Sequence, residues 1–507
     1  METQITREEL IALGLLSEDL QKAFLRVANG LLSNGIYPKE KLLVLFAEVI
    51  ERPKKFAFSK NKVTNLGVAV KKAADEGQPV ILSEWGLSLL SEDRAKQPVY
   101  ELPSLPGQVS REFLLREEAL PYAVFGANQI EQGALNQMNT AMRLPIAAAG
   151  ALMPDAHQGY GLPIGGVLAT DANTVIPYAV GVDIACRMCL SVFDLPASAI
   201  DTQTHWLKSL LGEHTFFGMG SESRKKFETT LFDRPEWTAT KPIRQLMDKA
   251  YRQLGTSGTG NHFVEWGELE VLTPDESLPE GRYLALLSHS GSRGFGGGIA
   301  NHYSKVAMEK TRLPKEAQHL AWLELDSQEG IEYWIAMNLA GDYASANHHE
   351  IHNKIAKALG QQPLIRIENH HNFAWKETLT DGREVIVHRK GATPAAEGDI
   401  GIIPGSMTQP GYVVRGKGLA ASLRSASHGA GRQMSRTKAI QTIQPAEVRK
   451  VLEEARVQLI GAGLDEAPMA YKNLEQVMAE QTALVEVLAR FSPRIVRMAD
   501  GKEKAED

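Results

Sequence analysis

The chain has 507 residues, 43% of them hydrophobic, with a formal charge of −6 and two cysteines. Its length suits about two or three domains, and its charge excludes a protein that draws in nucleic acid through a global basic field, so any such contact needs a local basic groove. Two cysteines exclude a disulfide framework, "METQITREEL" has no apolar signal core, and no apolar run approaches ~20 residues, so a soluble cytoplasmic protein is expected.

The pattern begins as helix. In "SEDLQKAFLRVANGLLSNG" Leu20, Phe24, Val27 and Leu31 recur at helical spacing, with Ser17 placed to cap the start and Gly35 just past the end. "PKEKLLVLFAEVIERP" predicts a second helix, opened by Pro38 and stopped by Pro53. Shorter helical patterns run to about Ala95. Pro98, Pro103 and Pro106 then break the periodicity. The expected organisation is a helical module over 1–97, a proline-rich linker over 98–116, a large mixed α/β domain over 117–500 and a frayed tail over 501–507. From about Glu117, glycine-rich turns alternate with β-type runs such as "GGVLAT", "RYLALLSHS" and "GREVIVHRKGA", separated by helices. No strict strand–helix alternation holds, so the fold class is α+β, a mixed α/β pattern with central mixed sheets. "YKNLEQVMAEQTALVEVLARF" predicts one amphipathic helix with Leu474, Val477, Gln481, Leu484 and Leu488 on one side.

Both cysteines lie in "VGVDIACRMC", Val180 to Cys189. A redox pair, a metal site and a plain buried strand all fit that string by itself. A redox C-x-x-C needs a helix start after its first cysteine. Here "CRMCLSVFDL" continues as a strand, with Met188, Leu190 and Val192 alternating. Cys186 and Cys189 then point to opposite faces, and only one can reach a shared site. Asp183 is also three residues from Cys186, so the chain must bend or bulge around Ile184–Ala185 if both are ligands. Cys189 reads as a core residue.

The histidines cluster in strings of small residues: "PDAHQGYGLPIGG", "GTSGTGNHFVEW", "LSHSGSRGFGGG", "ENHHNFAWKE" and "SASHGAGRQMSR". Glycines beside a histidine let backbone N–H groups approach a ligand. Asp183 and Cys186, with His262, His289 and one of His370 or His371, form a donor set suited to a divalent transition metal. "NHHEIHNKI" puts His348 and His352 one helical turn apart but without the H-E-x-x-H order, and it reads as a solvated helix face. In "HRKGATPAAEGDIGIIPGSMTQPGY" and "SHGAGR", Arg389, Lys390 and Arg432 are placed to meet phosphates. With a metal cluster, these loops suggest phosphoryl or nucleotidyl transfer.

The ordered strings "PDAHQGYG", "VGVDIAC", "GNHFVE", "HSGSRG", "HHN", "HRKGAT", "IPGSM", "HGAGR" followed by "MSR", and the late "DEAP" and "AYK" resemble the RtcB-type RNA ligase family from about Glu118 onward. The resemblance implies a GTP- and Mn²⁺-dependent enzyme that joins RNA 3′-phosphate or 2′,3′-cyclic phosphate ends to 5′-hydroxyl ends in tRNA splicing or RNA repair. His428 is then the nucleophile that carries GMP. Asp183, Cys186 and His262 hold one Mn²⁺; Cys186, His289 and His371 hold the other. Asn261, Glu265, Asn372, Pro404, Gly405, Ser406, Met407, His428, Gly429, Ala430 and Gly431 form the guanylate pocket. Arg293, Lys390 and Arg432 are RNA-phosphate contacts, and an archease-like activator is an implied partner. This chain departs from the family pattern at three places. Ala185-Cys186-Arg187 replaces Gly-Cys-Gly, Gly411 replaces a serine, and Met498 or Asp500 lies near the place of a terminal lysine. The rival readings are an RNA-end-binding protein without guanylylation and a metal-dependent cyclic phosphodiesterase that does not ligate.

Overall fold

The computed structural model describes residues 4–33, 38–57, 63–78, 80–96, 100–223, 229–274 and 278–501. Gly35, Pro98 and the tail beyond Gly501 lie outside them. The chain divides into two compact units, Met1–Val99 and Tyr100–Asp507. The first is all helical among its described residues. Its helices Glu18–Ser33 and Lys39–Glu51 bury Leu20, Phe24 and Leu31 with Leu42, Leu43 and Phe46. Phe24 and Phe46 meet edge to face at 4.8 Å. Pro53 ends one helix and opens the next, Pro53–Ala57, because its fixed φ suits a first helical turn.

The proline-rich stretch is no free tether from Tyr100 onward. Tyr100 packs on a core of the second unit, Gln108 is buried, and Arg111–Glu112 pairs in parallel with Thr311–Arg312. Side chains of Thr238, Gln328 and Glu329 accept the backbone N–H groups of Tyr100, Leu105 and Gln108, donors that no helix or strand ladder pairs.

Two sheets organise the second unit. The larger has the order Pro363–His370, Arg187–Pro196, Arg282–Ser290, Phe263–Val271, Val485–Met498, Gly411–Gly416, Ile400–Ile403, with Gln458–Ile460 also on Val485–Met498. The smaller runs Asn372–Thr378, Glu384–Lys390, Ile164–Asp171, Ala147–His157, Ala123–Val124. The edge strand Pro363–His370 of the first sheet leads through His371 alone into Asn372–Thr378 of the second. One side of the large sheet is covered by the 32-residue helix Gln328–Leu359, whose Ile351, Ile355 and Leu359 pack with Phe193, Trp266, Leu284 and Leu286.

The expected C-terminal helix is half strand. Leu474–Ala479 is helical and buries Leu474 and Val477. The chain then turns and runs as Val485–Met498, an inner strand between Phe263–Val271 and Gly411–Gly416. Helical spacing and β alternation overlap here. Val485, Ala489 and Phe491 are all buried, and pairing on two sides outweighs the weak local preference. The expected solvated face of the long helix is also wrong at His348 and His352. Both are fully buried against the large sheet.

Candidate metal and nucleotide site

The site lies where the two sheets meet. Asp183 and Cys186 sit in the turn ahead of the strand Arg187–Pro196. The bend expected at Ile184–Ala185 is present: Ala185 has φ 56°, and Cys186 N–H donates to the Asp183 carbonyl at 3.2 Å. Such a conformation in a residue with a β-carbon persists only where its surroundings hold it. Here Ala185 N–H is held by the Asn372 carbonyl at 2.7 Å. His262 ends the turn before Phe263–Val271, His289 is the penultimate residue of Arg282–Ser290, and His371 bridges the sheets. Alternation along Arg187–Pro196 directs Cys189 to the opposite side of the sheet, toward the long helix.

The donor atoms form two triads that share Cys186: Asp183, Cys186 and His262, and Cys186, His289 and His371. Cys186 Sγ lies 3.1 Å from His289 Nε2 and 3.5 Å from His262 Nε2. His262 Nε2 is 3.1 Å from Asp183 Oδ2, and the Nε2 atoms of His289 and His371 are 3.3 Å apart. The His289 tautomer follows from its other nitrogen. Nδ1 faces the Asn261 carbonyl at 3.1 Å, which can only accept, so Nδ1 carries the proton and Nε2 presents a bare lone pair to the cluster. Burial holds the pKa values of His289 and His371 well below the ordinary range, which keeps both imidazoles neutral. For Asp183 burial pushes upward, but its hydrogen bond and attraction to His262 prevail and the carboxyl lies below its usual range. Convergent lone pairs, a thiol and a carboxylate fit a divalent transition metal.

His428 stands beside this cluster, its ring 4.9 Å from that of His371. It follows the strand Ser425–Ser427, which pairs with Ala392–Pro394. Gln481, fully buried in the turn before the C-terminal strand, accepts the Ser427 N–H at 3.0 Å and fixes that approach. His428 Nδ1 donates to Asp155 Oδ2 at 2.7 Å, and the same oxygen accepts the backbone N–H groups of His428 and Gly429. Asp155 is fully buried. Burial raises its pKa and the adjacent His428 lowers it, with the net result below the usual carboxylate range. Gly431 makes the approach of this loop feasible: it has φ 73°, and a β-carbon there would overlap the Asp155 carbonyl. Sequence reasoning missed Asp155, although it lies in "PDAHQGYG". Nothing local shows which of the string's residues meets a histidine 273 positions away.

A pocket of about 660 Å³ opens over the cluster, within the range of small-ligand sites. It is lined by all five expected metal ligands, by His428 and by every residue expected in the guanylate pocket. Ser406 contributes a buried hydroxyl without a protein partner among the described residues. Asn372 instead braces the loops around the cluster: its amide donates to the Asp183 carbonyl at 3.1 Å and accepts from Gly391 N–H at 2.8 Å. Phe263, Met407, Val496 and Met498 pack together and give the pocket an apolar wall, and Glu265 also lines it. Burial pushes the Glu265 carboxyl well above its usual range.

The expected phosphate contacts separate. Lys390 lines the pocket, where its ammonium donates to the Tyr160 carbonyl. Arg432 lines it too, but its guanidinium is engaged by the Met434 and Asp465 carbonyls, Tyr471 and Glu466. Arg293 does not reach the pocket. It is buried at φ 54°, with Nε on Thr256 Oγ1 and a terminal nitrogen on the Gly218 carbonyl. Arg389 is likewise buried, paired with Glu377 and Ser425 over the Trp375 ring.

Fold and site thus define a class: an α+β protein whose two sheets meet at a buried cluster of metal-ligating type, beside a histidine held by an aspartate. The chain matches the family described as "tRNA-splicing ligase RtcB" over residues 137–244 and 233–499, and it belongs to that family. It is 33% identical over 394 residues to the RNA-splicing ligase RtcB of Escherichia coli, covering 71% of this chain and 92% of that one. It is 30% identical over 427 residues to the tRNA-splicing ligase RtcB of Thermococcus kodakarensis, covering 70% and 88%. It is also 29% identical over 436 residues to RNA-splicing ligase RtcB homolog 1 of Entamoeba histolytica, covering 71% and 83%. No described helix is long and apolar enough to cross a membrane.

Proposed function

We propose that this chain is an RNA ligase that joins RNA 3′-phosphate or 2′,3′-cyclic phosphate ends to 5′-hydroxyl ends, with GTP as co-substrate and Mn²⁺ as metal. The supporting observation is the Asp155–His428 pair beside the shared-cysteine cluster. Asp155 keeps the proton on Nδ1, so Nε2 carries the lone pair that attacks. In the first step Nε2 bonds to the GTP α-phosphorus, and the bond to pyrophosphate breaks. The positive charge that develops on the ring is balanced by the buried Asp155 carboxylate. A 2′,3′-cyclic phosphate is first opened by water, which breaks the bond to O2′ and leaves the 3′-phosphate; the guanylate then passes to the RNA 3′-phosphate, and a 5′-hydroxyl displaces GMP. Asp183, Cys186 and His262 would hold one Mn²⁺, and Cys186, His289 and His371 the other; bound there, the ions supply neutralisation of phosphate charge.

The partner is RNA carrying such ends, and the setting is tRNA splicing or RNA repair in the cytoplasm, with an archease-like activator. The catalytic domain is the unit that begins at Tyr100, and the helical module is the unit Met1–Val99. Ser406, Glu265 and the 428–431 loop receive the guanylate, and Lys390 is the phosphate contact best placed in the pocket. Labelled GTP added with Mn²⁺ and no RNA tests this reading. A covalent nucleotide adduct on the protein is expected, followed by joining when RNA ends are supplied. Opening of a cyclic phosphate without an adduct would instead favour a phosphodiesterase.

A further inference from the structure

A second polar layer lies behind the cluster, on the helix-facing side of the large sheet. Ser191, Ser288, Ser290, Asn347, His348 and His352 are all fully buried there, as is Cys189. Ligand atoms of Cys189, His348 and His352 lie within 4.8 Å of one another, the arrangement of a further metal site. The hydrogen bonds of the layer assign it otherwise. His348 Nε2 lies 3.0 Å from the Ser290 carbonyl and must donate. Burial holds His348 and His352 neutral, with pKa values about 3 and well below ordinary respectively. His348 Nδ1 is therefore an acceptor, and Ser288 Oγ donates to it at 2.7 Å. The Ser288 oxygen then accepts from His352 Nε2 at 2.8 Å. His352 Nδ1 accepts from Ser191 at 2.8 Å, and Ser191 accepts from Arg366 Nε at 3.3 Å. Every imidazole nitrogen is used, and a hydroxyl sits between the two rings where an ion would sit.

Asn347 completes the layer. Its carbonyl oxygen accepts Gly255 N–H at 2.7 Å and Thr256 N–H at 3.2 Å. Its amide donates to the Thr256 carbonyl at 2.9 Å and to Ser290 Oγ at 3.2 Å. Residues 255–262 form the loop that delivers Asn261 and His262. Ser290 directly follows His289 and precedes Gly291–Ser292, whose Ser292 N–H donates to Asp183 Oδ1 at 3.1 Å. Two adjacent residues of one helix thus grip both ligand-bearing segments.

We propose that Asn347 and His348 are positioning residues that set the spacing of His262, His289 and Asp183 from behind the sheet. This rests on the metal reading of the cluster. Groups that hydrogen-bond metal ligands directly typically change metal affinity or activity by 10–100-fold when removed, which sets the upper scale for Asn347 and His348, one residue further out.

The test is Mn²⁺ binding by the full chain, followed through the EPR signal of free Mn²⁺, with the thermal midpoint of each variant measured in parallel. Asn347→Ala and His348→Ala are expected to weaken Mn²⁺ binding about 10–100-fold. His348→Gln, which keeps a donor near the Ser290 carbonyl, is expected to recover most of the affinity. His352→Ala removes a buried imidazole that touches no ligand-bearing backbone. It is expected to lower the midpoint and leave affinity within about threefold of wild type, against the 10–100-fold expected for its neighbours. Equal affinity in all four variants while the wild type binds Mn²⁺ overturns this proposal alone. A wild type that takes up no Mn²⁺ removes the metal reading and this proposal with it. A third equivalent of zinc, lost in Cys189→Ala, would make His348 and His352 ligands and also overturn it.

Discussion

Asp155 Oδ2 holds His428 Nδ1 at 2.7 Å and also accepts the backbone N–H groups of His428 and Gly429. One carboxylate oxygen therefore sets both the tautomer and the loop. Asp155→Asn keeps the shape but offers an amide, which stabilises a charged imidazole poorly and can favour the wrong tautomer. GTP-dependent adduct formation is expected to fall by about 10²–10⁴, the range for a lost proton-handling group. His428→Ala is expected to abolish the adduct with metal content unchanged. Gel detection of labelled protein with parallel metal analysis checks both, and an adduct that persists in His428→Ala removes His428 from the nucleophile role.

Cys186 and Cys189 separate by strand geometry. Cys186→Ala is expected to lose bound Mn²⁺ and ligation, because both triads share its sulfur. Cys189 is fully buried, and burial pushes its thiol up to about 12. Cys189→Ala is expected to cost about 1 kcal/mol of stability and to retain the metal. Metal analysis and denaturant unfolding compare the two; equal metal loss in both would point to a shared C-x-x-C site.

Lys390 carries a pH dependence. Burial lowers its pKa from 10.5 to about 7. An anionic ligand favours the charged form, so nucleotide or RNA-end binding is expected to weaken above about pH 7, by up to tenfold per pH unit. Lys390→Arg stays charged and is expected to flatten that slope. The empty protein behaves in the opposite sense. Its unfolded chain binds the proton up to about pH 10 while the folded chain releases it near 7, so this group makes stability rise with pH across that window. Binding titrations and unfolding curves at pH 6, 7, 8 and 9, about a unit apart around the shifted value, check both signs; a wild-type slope identical to that of Lys390→Arg would exclude Lys390.

The apolar wall of the pocket bears on base choice. Phe263, Met407, Val496 and Met498 line the pocket together with Glu265. A site that pairs every polar edge of a base can reject a competitor by ~10⁴ or more. With Met498 or Asp500 near the place of the terminal lysine in the family pattern, GTP is expected to remain usable with weaker rejection of ATP. Adduct rates with the four nucleotides at matched Mn²⁺ measure it. A preference for GTP above about 10⁴ would show that other residues complete the guanine contact.

Much of the site was legible because its signals are local. Small residues around His262, His289 and His428 mark places where a backbone must come close to something. The alternation of Met188, Leu190 and Val192 predicted the strand that parts Cys186 from Cys189, and a shared site for Asp183 and Cys186 called for the bend seen at Ala185. Residue order and chemistry along the chain settle such features, because they depend on a few neighbouring dihedrals and on ligand type. Asp155, the burial of His348 and His352, the engagement of Arg293 and Arg432, and the strand Val485–Met498 depended on the tertiary structure. Each is decided by partners far away in sequence: Asp155 by His428, His348 by Ser290, Arg432 by Asp465, and Val485–Met498 by strands on both sides. A polar side chain reads alike in solvent and in a satisfied interior until those partners are in place. Burial and pairing then select between the two, because an unpaired polar group inside the protein costs on the order of 1–3 kcal/mol.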